Sequence, residues 1–184
     1  MPEQPERPDL GLDLLRCKWR VDEATSPGTP AARLAGVRRE NTEILAVIIT
    51  AGRGWPGHRL VGERAAHAAA LIAVETPDLA FQDRVLPLLN EAVRAGDADA
   101  KDLALLTDRN FVRHRRPQMF GTQYLPGQHG LTLYPCIAPG ELDWRRQALG
   151  LEPHAEYDAR IRGGHTLLAP PEPGLRTALE PGAL

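Results

Sequence analysis

One apolar stripe constrains this chain more than any other feature. Leu34, Val37, Ile44, Leu45, Ile48 and Ile49, with Asn41 in their row, recur at helical spacing, and the glycines and proline of "AGRGWPG" stop the run. A helix this one-sided must bury its face against other elements. The rest of the sequence supplies them. From Pro8 to about Val21, Leu10, Leu14, Leu15 and Trp19 keep the same period. The alanine-rich "VGERAAHAAALIAVE" predicts a helix from about Leu60 to Glu75, with small side chains that allow close packing. In "TPDLAFQDRVLPLLNEAVRAG", Thr76 reads as a cap, Pro77 as a first-turn residue, Pro87 as a kink and Gly96 as the stop. A further helix is expected from about Ala98 to His114, with Leu103, Leu106 and Phe111 facing inward.

The pattern then changes. "QMFGTQYL" and "LTLYPCI" are β-rich runs around the turn-forming "PGQHG", which predicts a small hairpin, marginal alone and so packed on helices. Two short helices are expected from about Gly140 to Leu149 and Glu152 to Arg162. The expected fold is mainly α, a single-domain helical bundle of about five to seven helices with one small β-hairpin. Residues 1–8 read as a flexible arm, 9–162 as the globular domain and 163–184 as a Pro/Gly-rich tail.

Composition narrows the function classes. The 184 residues carry a net charge of −2, and the pI is near 6.3. A nucleic-acid partner is not expected, because a phosphate backbone is normally met by a clearly basic surface. Cys17 and Cys136 stand far apart with no CxxC spacing, so neither a disulfide framework nor a zinc ribbon is indicated. The acidic, proline-rich start and the lack of a long apolar run lead to the expectation of a cytoplasmic protein that does not engage a membrane.

Candidate chemistry concentrates in "LTDRNFVRHRRPQMFGTQYLPGQHG", residues 106–130. Asp108 and Arg109 are neighbours on a helix, where side chains one apart diverge by about 100°, so they aim at different partners. They read either as a helix-end charge pattern or as a site in which Arg109 clamps an oxygen while Asp108 orients it or acts as base. Gln118 and Gln123 lie five apart on the expected strand and face opposite sides unless Gly121 marks a bulge. Amides there, with Thr122 between them, suit either reading of a ligand's polar edge or satisfaction of loop backbone groups. The run Arg113, His114, Arg115 and Arg116 reads as a cationic helix cap.

Elsewhere, Trp55 in "GWPG" is either core or a stacking wall, and His58 is a loop imidazole available for acid–base work or simply a surface histidine. His67 lies one turn after Glu63, which reads as a helix-surface ion pair. Gln82 is placed one turn before Pro87, where it could reach the cleft of Asp108 if its helix and the next run antiparallel. No P-loop, GxGxxG, HExxH or GxSxG is present, and no metal or cofactor is expected.

The ordered elements "GWPG", "VGERAAHAAA", "FQDRVLPLL", "LTDRN", "RPQMFGTQY" and "RRQALGLEP" resemble a bacterial family of unknown function across roughly residues 34–158. The resemblance brings no activity with it. Relatives in that family typically show a histidine followed by an acidic residue just before the FQ element, whereas this chain has Val74 and Glu75 there. If that histidine is catalytic in relatives, this chain uses another base or has lost the reaction.

Two hypotheses follow. One is a small cofactor-independent enzyme doing acid–base chemistry on a carboxylate- or amide-bearing metabolite or peptide, with Asp108, Arg109 and His58 catalytic and Trp55, Gln82, Gln118, Thr122 and Gln123 holding substrate. The other is a non-catalytic binding protein of immunity or accessory type, using the same groups to hold a small molecule or peptide. Oligomeric state is left open.

Overall fold

The computed structural model describes residues 4–52, 54–127 and 130–164. It is mainly helical with one small antiparallel hairpin, and the chain forms two compact units that divide after Leu106.

The first unit, Met1–Leu106, holds helices α1 (Pro8–Ala24), α2 (Ala31–Gly52), α3 (His58–Val61), α4 (Glu63–Glu75) and α5 (Leu79–Arg94), and the start of α6 (Ala100–Arg113). The long stripe is α2, whose Leu45 and Ile48 are buried as its period requires. The alanine-rich segment is the centre of this unit. Ala65, Ala66, Ala68, Ala69, Ala70 and Ala73 are all buried, so α4 is covered on most of its circumference. Alanine lets neighbouring backbones approach closely while costing no side-chain entropy.

Two sequence expectations change here. The helix expected from Leu60 to Glu75 is two helices, because Gly62 takes φ +85, a left-handed-side conformation that ends α3 and that glycine adopts without a Cβ clash. The cap of α5 is Asp78 rather than Thr76: its carboxylate accepts the Phe81 amide at 2.9 Å, and the Thr76 hydroxyl accepts the Asp78 amide at 3.1 Å. Pro87 lies inside α5, as the sequence places it. Of the N-terminal arm, Glu6 and Arg7 donate their amides to the carbonyls of Arg59 and Leu60, at 3.0 and 2.7 Å.

The second unit, Thr107–Leu184, holds the rest of α6, the strands β1 (Tyr124–Gly127) and β2 (Gly130–Leu133), a 3-10 turn at Pro139–Glu141, and helices α7 (Leu142–Ala148) and α8 (His154–Arg162). Tyr124 pairs with Leu133 and Gly127 with Gly130. The hairpin is shorter than the sequence suggests. Residues 118–123, expected as strand, form a loop, with one isolated parallel bridge from Gln118 to Cys136. Val112, Leu125 and Tyr134 make the apolar centre of this unit. The expected tail falls on residues 165–184, which lie outside the described residues, as do Gln128 and His129 of the expected turn.

Candidate functional site

The polar stretch that stands out in the sequence folds into a network in the second unit. Asp108, on α6, is fully buried. Its carboxylate accepts the amides of Met119, Phe120 and Thr122 at 2.7, 2.9 and 2.9 Å, and the Thr122 hydroxyl at 2.9 Å. Burial pushes its carboxyl upward, while the Thr122, Phe120 and Met119 amides and the Thr122 hydroxyl pull the other way. A carboxylate has about four acceptor positions, and these donors take them up. Little of Asp108 is left for a reacting proton.

The loop's carbonyls are held by the opposite charge. Arg145 donates Nε to the Met119 carbonyl at 2.9 Å, and its Nη atoms reach the carbonyls of Ile137 and Ala138. Arg146, buried, donates Nη1 to the Phe120 carbonyl at 2.6 Å and Nε to the Glu152 carbonyl at 2.7 Å, with its guanidinium over the Tyr157 ring. A buried carboxylate takes the loop's N–H groups and two guanidiniums take its C=O groups, so each backbone polarity meets a charge of the right sign. Sequence reasoning did not assign these two arginines a role, although "RRQALGLEP" was visible as a motif.

Gln118 completes the loop. Its Nε2 donates to the carbonyls of Gln123 and Tyr134 at 3.0 and 2.8 Å, and its Oε1 accepts the Gln123 amide at 2.8 Å. The side chain thus does for Gln123 what an adjacent strand would do. The question of which strand face each glutamine occupies dissolves, because this segment is not strand. Gln123 turns its own Nε2 to the Thr122 hydroxyl at 3.1 Å. Gly121 sits at φ +71, and a Cβ there would come within 2.7 Å of the His154 ring. His154 and Tyr157 stack with Tyr124, whose hydroxyl lies 3.2 Å from His154 Nε2. Burial, reinforced by the Asp158 carboxylate, pushes the Tyr124 hydroxyl well above its ordinary range.

The first unit holds the remaining expected site residues. Gln82, fully buried, donates Nε2 to the carbonyls of Ala73 and Val74 at 2.9 and 3.0 Å, where the last turn of α4 has carbonyls without helical partners. Its Oε1 is buried with no partner among the described residues. Trp55 is buried, and its indole N–H has none among them either. At the point where relatives are expected to carry a histidine and an acid, Val74 is core and Glu75 pairs with Arg38 at 3.4 Å.

His58 opens α3, and its loop is fastened to the turn after α5. The His58 amide donates to the Asp97 carbonyl at 2.8 Å and the Arg59 amide to Asp97 Oδ1 at 2.8 Å. Gly57 lies so close to Asp97 that a Cβ would come within 2.2 Å of its carboxylate. The same turn carries Asp99 and leads into α6, whose first turn carries Asp102.

There the structure adds a pair that sequence spacing did not reveal. His67 was expected to pair with Glu63 along its own helix; instead its Nδ1 lies 2.8 Å from Asp102 Oδ1. The Asp102 side chain is 4% exposed and that of His67 is 48% exposed. The hydrogen bond to Asp102 raises the imidazole above its ordinary value, against a smaller opposing effect of burial. Burial in turn pushes the Asp102 carboxyl up, more than His67 pulls it down. The partners are 35 residues apart, so no local pattern links them. The only sequence signs were an imidazole on an alanine-rich helix and a carboxylate in the first turn of another.

The expected site residues are therefore divided. Asp108, Arg109, Gln118, Thr122 and Gln123 belong to the second unit, and Trp55, His58 and Gln82 to the first. Within the second unit Asp108, Gln118, Thr122 and Gln123 converge on one hydrogen-bonded loop, and Arg109 is buried. Among the described residues no group of three or more His, Cys, Asp or Glu side chains is placed to hold a metal ion, and no helix is long and apolar enough to cross a membrane.

No curated protein and no solved structure matches the chain. A family model matches residues 17–167, which include α2 through α8 and every element of the Asp108 and His67 networks, and the chain belongs to that family, the family of unknown function DUF6624.

Proposed function

We propose that the protein is a small enzyme doing acid–base chemistry on a carboxylate- or amide-bearing metabolite or peptide, with His67 as the proton-carrying group and Asp102 as the carboxylate that orients it. The observation that carries this reading is the 2.8 Å contact from His67 Nδ1 to a carboxylate that is nearly fully buried, on an imidazole that is half exposed. A buried acceptor on Nδ1 fixes the ring and its tautomer and leaves Nε2 to exchange a proton with a substrate. Arg59, largely exposed beside the same turn, offers positive charge for a carboxylate. Asp108 serves this reading as a positioning residue for the loop of the second unit, not as the base.

The test is depletion of a metabolite from a cell extract by the native protein, followed by mass spectrometry, with H67Q and D102N beside it. A compound consumed by the native protein and spared by both variants supports the reading. Equal consumption by H67Q, or no consumption by the native protein, contradicts it. The binding reading has its own support, since Asp108 and Gln118 spend their hydrogen-bonding capacity on the protein's own backbone. Saturable association of a peptide or metabolite that persists in H67Q without turnover favours it.

A further inference from the structure

The turn after α5 carries a second imidazole–carboxylate pair beside the first. His58 Nε2 lies 3.8 Å from Asp99 Oδ2, and that nitrogen is buried with no hydrogen-bond partner among the described residues. His58 is held in place through its backbone rather than its ring: its amide is bonded to Asp97, the next amide is bonded to the Asp97 carboxylate, and Gly57 lies against Asp97. Such a backbone anchor leaves the imidazole free to settle against Asp99, whose side chain is more than half exposed. Asp102 feels the charge of both His58 and His67, and His67 feels that of Asp99 as well as Asp102. The two pairs are linked through the start of α6, where Asp99 stands three residues before Asp102, and Arg59 Nε lies 3.4 Å from Asp97 Oδ1.

We propose that His58 with Asp99 is a second proton-carrying pair in the site built on His67 and Asp102, so that the site holds a general base and a general acid together. This rests on the acid–base reading above and narrows it to reactions that remove one proton and deliver another. One imidazole takes a proton from the substrate or from water, the other gives its proton to a different substrate atom, and exchange with solvent restores both. Two imidazoles suit this work because each ring carries one nitrogen that can give a proton and one that can take it. The two pairs also use opposite ring nitrogens toward their carboxylates, Nδ1 in His67 and Nε2 in His58.

The experiment is the pH profile of metabolite consumption by the native protein and by H58N and D99N. The native consumption rate should follow a bell-shaped profile, of which H58N loses one limb while keeping native circular dichroism. D99N, which removes the carboxylate facing His58, should weaken the same limb. Both limbs kept in H58N, or a D99N profile identical to the native one, overturns this inference alone. Absence of consumption by the native protein overturns the acid–base reading beneath it.

Discussion

The two polar regions of this chain use similar residues in opposite ways. Around Asp108, a buried carboxylate, two arginines and Gln118 direct polar atoms to the backbone of one loop. Around Asp102, a buried carboxylate holds one nitrogen of an imidazole whose ring is half in solvent. The first arrangement fixes shape; the second leaves a titrating ring half exposed. What distinguishes them is how many partners the carboxylate has inside the protein.

The largest expected effect follows from breaking the saturated network. D108N places an amide N–H₂ against backbone donors, so at least one buried N–H loses its acceptor. Given the cost of leaving buried donors unsatisfied, a loss of about 3 kcal/mol is expected, read as a lower denaturation midpoint with an unchanged m-value. Removing Arg146 should come next. R146A frees the Phe120 and Glu152 carbonyls and removes the contact with Tyr157, for an expected loss of about 2 kcal/mol, and R146K should recover only part of it.

Asp102 should behave differently. D102N is expected to lower turnover by about a hundredfold while costing less stability than D108N, and a larger stability loss than in D108N would erase the contrast between the regions. The pH dependence follows the sign of the His67 shift. Because the folded imidazole is raised above its ordinary value, the pair's stabilisation is fully present below about pH 6.5 and is lost as pH rises through the higher folded value. The stability of the native protein relative to H67Q should therefore shrink between pH 6 and pH 8, an estimate of the window from the ordinary imidazole value, as followed by denaturation at a series of pH values. The smallest effect is expected at an exposed pair: D13A, which breaks the contact with Arg16, should change stability by no more than about 0.5 kcal/mol.

The helices were legible because they depend on periodicity. The α2 stripe, the alanine-rich α4 and the stop at Gly96 follow from spacing and breakers within a few residues. The split at Gly62 was missed because glycine near a helix start does not announce which φ it takes. The hairpin is legible in its place but is shorter than the β-rich run, because the Met119, Phe120 and Thr122 amides go to Asp108 and the Gln123 amide to the Gln118 side chain instead of to a neighbouring strand. Asp108, Gln118, Thr122 and Gln123 could be picked out because they stand close in sequence. Their number and type did not tell whether they faced a ligand or the backbone. The pairs His67 with Asp102 and His58 with Asp99 join positions 35 and 41 apart on different elements, which no local pattern encodes.

The central claim is that Asp108 serves the loop and not a substrate, and amide hydrogen exchange at Met119, Phe120 and Thr122 tests it most directly. These amides should exchange slowly in the native protein, together with the core of α6, and should lose that protection in D108N under conditions where the helices keep theirs. Rapid exchange of the three amides in the native protein would contradict it, because a carboxylate not bonded to them would be free for other work.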